Sequence, residues 1–241
     1  TLRFPTVRKG EVNRSSEYRL DASGKGVNVA RVLAQLGHEV THLTHLGGSN
    51  RDEFLRMCEA DGVDVSWVEG GGEIRGCYTI IDDGESSTTE LVEEPRPVEE
   101  GTEERVRDLY SALLPEIHTV TISGSKAAGY GDALFPWMVA EAKSRRIRVI
   151  ADYRGRDLRE SVEHLPDVIK PNFLEFVTTF LNGRNSPFGP ERAAGLSEES
   201  DDKELERAVR GKMRELAALG IAVILTRGSL PTLYTTTDCI E

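Results

Sequence analysis

The chain has 241 residues, enough for one large domain or two modest ones around a sizeable buried core. Its 30 basic and 41 acidic residues give a net charge of −11, and no long Lys/Arg run interrupts that balance, which argues against general nucleic-acid binding. The longest apolar run, Ile221-Ala-Val-Ile-Leu225, is far too short to cross a membrane. Three cysteines, Cys58, Cys77 and Cys239, share no metal-ligand spacing and leave one over in any disulfide pairing, so a reducing, cytoplasmic setting is expected.

Helical and strand patterns then alternate along the chain. Residues 26–37 read as a helix with Val29, Val32, Leu33 and Leu36 on its apolar face, followed by a strand over 39–46 that ends at Gly47-Gly48. An amphipathic helix is expected over 50–61 and another over 101–114, with a strand at 117–122 and a helix from about 132 to 145. Strands at 147–151 and 167–170, a helix from 172 to about 181, a long helix carrying Leu205, Val209, Met213 and Leu216, and a strand at 221–226 complete the series. This order predicts a mainly parallel sheet covered by helices on both faces.

Two regions break the rhythm. Residues 73–81 and 87–93 read as a hairpin joined by Asp82-Asp-Gly-Glu-Ser, and 11–20 offers a third strand of the same small sheet. The expected organisation is therefore an α/β body over 21–71 and 94–241 with a small β lid from 11–20 and 72–93. Residues 182–202, rich in Gly, Pro, Ser and acidic side chains, read as a mobile surface loop.

Four segments have the residue types for phosphate and hydroxyl chemistry. Gly24-Lys-Gly-Val-Asn28 stands before a helix, where glycines admit close approach and the helix start offers N–H groups to an anion. Alone, it reads equally as an ordinary turn. Ser123-Gly-Ser125 follows a strand, where α/β sheets bind ligands, though a plain polar turn explains it too. In Lys170-Pro-Asn-Phe-Leu-Glu175 the Asn and Glu have capping-box spacing; their other reading is a hydrated Mg²⁺ site. Thr226-Arg-Gly-Ser229 also follows a strand and suits a nucleotide's phosphates or ribose. His42 and His45 fall on opposite faces of a strand, poorly placed to share a metal, and Asp152 at a strand end is either functional or a local cap.

Taken in order, these motifs resemble ribokinase-like (PfkB-type) carbohydrate kinases. The likeness rests on "GEVNR…LDASGKGVNVARVLAQLG", "SGSKAAG", "KPNFLE", "TRGS" and the "TTELVEEPRP" stretch, and is greatest to 1-phosphofructokinases and tagatose-6-phosphate kinases. It implies a ribokinase-like three-layer α/β/α sandwich that transfers a phosphoryl group from MgATP to a ketohexose monophosphate. It assigns Gly24, Lys25, Gly26, Asn28, Arg75 and Ser125 to the sugar phosphate, and Lys170, Asn172, Glu175, Thr226 and Gly228 to the nucleotide. Asn172 and Glu175 would organise Mg²⁺. Fructose 1-phosphate is the favoured substrate, with tagatose 6-phosphate, or a non-catalytic phosphosugar-binding protein, as the alternatives. A homodimer through the β lid is also expected.

The chain departs from the family pattern in several places. Lys126, Ala127 and Ala128 replace the family's leucine and prolines, and Pro231 stands where a loop glycine is expected. An early substrate-holding aspartate in the first strand is missing. The family's Gly-x-Gly-Asp segment, with its general base, is read as absent from this chain, so the base is expected outside these residues, in a longer protein of which this chain is a piece.

Overall fold

A computed structural model describes residues 1–182 and 203–235. They form two compact units, one of residues 1–106 with 126–130, the other of 107–125 with the rest of the chain from Gly131.

The first unit opens with β1 (Leu2–Phe4) and β2 (Glu17–Tyr18). The expected strand over 11–20 shrinks to two residues because Asn13 folds the stretch before it into a turn. Its side chain accepts from Arg8 N and donates to the carbonyls of Arg8 and Glu11. Helix α1 (Lys25–Gln35) is followed by β3 (Thr41–Leu46), α2 (Arg51–Ala60) and β4 (Asp64–Glu69), and β3 and β4 pair in parallel.

The expected apolar face of α1 requires correction. Val32 and Leu36 are 54% and 69% exposed, while Val27 and Ala30 are buried. The small side chains of Ala30 and half-buried Ala34 let the helix close on its core with Leu46, Phe54, Cys58 and Val63.

Strands β5 (Cys77–Asp82) and β6 (Ser87–Val92) form the expected hairpin, and the whole small sheet runs β2-β1-β5-β6. Buried Asp82 sets its turn. Its carboxylate accepts the N–H groups of Gly84 and Glu85 at 3.0 and 3.2 Å and that of Val7 at 2.9 Å, which ties the end of β1 beside β5.

Helix α3 (Thr102–Leu113) leads into the second unit. There β7 (Thr119–Ser123), α4 (Leu134–Ser144), β8 (Arg148–Asp152), α5 (Gly155–Ser161), β9 (Val168–Ile169) and α6 (Phe173–Phe176) follow in turn. The helix expected from 172 to 181 is real but changes winding, passing into a π-turn over Val177–Leu181. Helix α7 (Lys203–Ala218) buries Leu205, Val209, Met213 and Leu216 as its period predicts, and packs on β10 (Ala222–Arg227). Strand β11 (Leu230–Thr235) completes a sheet ordered β11-β10-β9-β8-β7. Strands β7 to β10 are parallel neighbours, and β11 alone is antiparallel. The surface loop expected over 182–202, with its acidic run 198–202, lies outside the described residues except for Asn182.

Candidate active site

Gly24, Lys25, Gly26, Asn28 and Arg75 fall in the first unit, and Ser125, Lys170, Asn172, Glu175, Thr226 and Gly228 in the second. In the first unit the glycine-rich segment ends as the N-cap of α1. Gly24 has φ 141° and ψ 150°, a conformation that side-chain-bearing residues rarely adopt, although a methyl group there meets nothing within 4 Å. Backbone geometry is therefore the constraint at this position. No side chain caps the helix and its first turn has no acidic residue, so its positive dipole end stays favourable to an anion. Asn28 is exposed on that first turn, its N–H bonded to Gly24 O at 2.9 Å. Arg75 is exposed in the irregular stretch between β4 and β5.

His45 has a partner that its sequence position does not suggest. The Tyr130 hydroxyl lies 2.8 Å from His45 Nδ1, with the rings edge to face. Burial pushes the Tyr130 phenol up to about 12 and lowers the imidazole below its ordinary value, so near neutral pH the hydrogen bond joins two uncharged groups. Burial also lowers His42. Among the described residues no three His, Cys, Asp or Glu side chains gather as a metal cluster.

In the second unit the candidate residues sit at the carboxyl ends of adjacent parallel strands, the usual ligand edge of such a sheet. At the end of β7, Gly124 takes φ 96° and donates to Asp152 O at 3.0 Å; exposed Ser125 follows it. Asp152 ends β8 with only 6% exposure. Its carboxylate accepts from Ser123 Oγ at 3.2 Å and faces Lys170 Nζ, after β9, at 3.8 Å. A carboxylate closing a short apolar strand is the available sequence signal for Asp152.

Asn172 and Glu175 form a complete capping box. Asn172 Oδ1 accepts from Glu175 N at 2.8 Å, and Glu175 Oε2 accepts from Asn172 N at 3.0 Å. A bridge also joins Asn172 to Thr226, which brings two expected nucleotide residues side by side.

The segment after Thr226 is a tight turn. Arg227 pairs with Leu230, so Gly228, at φ 55°, and Ser229 form a two-residue hairpin turn. Pro231 lies on edge strand β11 beside a register shift near Thr226, a place where a missing N–H is tolerated, and its carbonyl accepts from Arg227 Nε at 2.8 Å. It stiffens a strand, not a loop.

The letters Gly-x-Gly-Asp do occur earlier, at Gly129-Tyr-Gly-Asp132, ahead of α4. There the Asp132 carboxylate is 68% exposed and paired with Arg156 at 2.7 Å, surroundings unlike those of a general base.

Several solved structures share this architecture. A phosphofructokinase-2 from Escherichia coli in complex with substrates and products matches with a TM-score of 0.79 at 19% identity, covering all of this chain and 73% of that one. A protein described as a possible 1-phosphofructokinase from Thermotoga maritima matches at 0.72 and 20%, over 99% of this chain and 72% of that one. A ribokinase from the same organism matches at 0.65 and 16%, over 100% and 72%. These likenesses establish a ribokinase-like fold. The model of the pfkB family carbohydrate kinases matches residues 1–238, and the chain belongs to that family of sugar kinases.

Proposed function

We propose that the protein phosphorylates a ketohexose monophosphate with ATP, converting fructose 1-phosphate to fructose 1,6-bisphosphate. The reading is carried by one observation: Asp152, Lys170, Asn172 and Thr226 gather at the carboxyl ends of β8, β9 and β10. Phosphoryl transfer needs positioned reactants and neutralised charge more than covalent help, and these residue types supply both.

In this reading Lys170, Asn172, Glu175, Thr226 and Gly228 hold the nucleotide. The donor set suits Mg²⁺, because Glu175 commits one carboxylate oxygen to the cap and keeps a second, and Mg²⁺ favours oxygen ligands with retained waters. Bound there, Mg²⁺ neutralises phosphate charge. Gly24, Gly26 and Asn28 orient the sugar, Lys25 and Arg75 attract its existing phosphate, and Ser125 adds a hydroxyl contact. The sheet containing residues 11–20 and 72–93 serves as the lid, and its exposed apolar face receives a second copy of the chain. Cys58 and Cys77 are free thiols, in keeping with a cytoplasmic setting. No helix among the described residues is long and apolar enough to cross a membrane.

An ADP-release assay on the full-length protein, comparing fructose 1-phosphate, tagatose 6-phosphate and fructose 6-phosphate, tests this. Fructose 1-phosphate should give the highest kcat/KM. A preference of about tenfold or more for tagatose 6-phosphate, worth about 1.4 kcal/mol, moves the assignment to that sugar. Phosphosugar binding by calorimetry with no ADP release identifies a binding protein instead.

A further inference from the structure

Behind the proposed sugar site stands an arginine with three hydrogen bonds into the first unit. Arg31, one helical turn after Asn28 on α1, makes three hydrogen bonds to three parts of the first unit. Nη1 donates to Asn28 Oδ1 at 2.8 Å, Nη2 to the carbonyl of Ala22 at 2.5 Å, and Nε to Asp61 Oδ2 at 2.6 Å. Ala22 is 1% exposed in the segment that leads into Gly24, and Asp61 caps the end of α2. The Arg31 and Asp61 side chains are only 20% and 35% exposed, so their ion pair is partly shielded from water.

The chemistry of guanidinium makes this arrangement directional. Arginine has donors and no acceptor, so the end of the Asn28 amide that faces it must be the carbonyl oxygen. The –NH₂ end is then turned away, and it carries two donors. Hydroxyl and phosphate oxygens accept hydrogen bonds, so an amide held this way presents donors to a phosphosugar. Without the arginine, an exposed Asn28 could rotate and present either end. The bond to Ala22 O fixes the glycine-rich segment against the same guanidinium, and Asp61 anchors that guanidinium from behind.

We propose that Arg31 is a positioning residue for the phosphosugar site, fixing the orientation of the Asn28 amide and the approach of the 22–24 backbone, with Asp61 as its anchor. This rests on the phosphosugar reading given above. Lysine keeps the charge but loses the planar fork, so it cannot serve Asn28, Ala22 and Asp61 together.

The test is a double-mutant cycle in the full-length protein, with fructose 1-phosphate binding measured by calorimetry and folding by thermal melting. Arg31→Lys and Asn28→Ala should each weaken binding by about five- to tenfold, the scale of one well-formed polar contact. In the double variant the added loss over Asn28→Ala should be clearly smaller than the loss Arg31→Lys causes alone, because part of the Arg31 effect acts through Asn28 and the rest through the 22–24 backbone. Asp61→Asn should weaken binding in the same direction by about twofold, and it covers the case in which Arg31→Lys fails to fold. Losses that multiply in the double variant, or an Asp61→Asn variant with unchanged binding, overturn the role of Arg31 while leaving the phosphosugar site standing. An Asn28→Ala variant that binds the sugar normally overturns the sugar assignment as well.

Discussion

At the scale of single residues, the informative groups are those whose partners come from distant sequence. Asp167 precedes β9 and is held by Lys143 Nζ at 2.8 Å and by Val149 N at 2.8 Å. Burial acts to raise its carboxyl, but the Lys143 bond and charge and the N–H bonds outweigh it, so the group lies below its ordinary value. A depressed carboxylate stabilises the fold above the unfolded-state value of about 3.9 and loses that contribution as pH falls through the lower folded value. Replacing Asp167 with Asn removes the charge while leaving an acceptor for Val149. It should cost a few tenths to about 1 kcal/mol near neutral pH, since the pair is partly exposed and screened. In chemical denaturation the gap between Asp167→Asn and the parent should narrow from about pH 6 to about pH 3. A gap that is constant with pH assigns the loss to packing.

At the scale of elements, two explanations meet at the start of α6. The capping box accounts for Asn172 and Glu175 structurally, and the proposed nucleotide site accounts for them functionally; separate substitutions divide the two. Asn172→Ala removes the cap and should cost about 1 kcal/mol in stability. Glu175→Gln keeps an acceptor for Asn172 N, so melting should be nearly unchanged. The same substitution removes the charge proposed for the metal, and the Mg²⁺ concentration for half-maximal ADP release should rise about tenfold. Wild-type Mg²⁺ dependence in Glu175→Gln leaves only the cap. Elements with their own periodicity, such as α7 and the β5–β6 hairpin, were legible from sequence because every residue that defines them is local. Strand β1 was not, because three residues gain strand geometry only by pairing with Ile80–Asp82, far along the chain. The apolar face of α1 was misplaced for a related reason: what decides burial there is how closely Ala30 approaches its neighbours, and apolar bulk does not encode that.

At the scale of the molecule, the order of motifs showed the family and fold more clearly than any one motif did, since each alone also suits an ordinary turn or cap. The resemblance supplied the expected site residues. Their partners, Arg31 on Asn28 and Asp152 beside Lys170, emerge only when the chain folds. The same scale governs assembly. The register of the four-stranded sheet puts Tyr18, Leu2, Ile80, Tyr78 and Leu91 on one face, and Tyr18, Tyr78 and Leu91 are 65%, 48% and 53% exposed. An apolar sheet face open to water is a docking surface, and a second copy offers the same chemistry. The full-length protein should therefore sediment as a dimer. Tyr78→Glu with Leu91→Glu should raise the dimer dissociation constant at least about a hundredfold without lowering the melting temperature of the monomer. The 241 residues of each copy have a charge of −11, so these parts repel beyond contact, and salt screens that repulsion over about 10 Å at moderate ionic strength. Association through this face should accordingly tighten as salt is added, the response of an apolar interface between like-charged partners. A dimer that loosens with salt is held by ion pairs elsewhere, and one that survives both glutamates uses another surface.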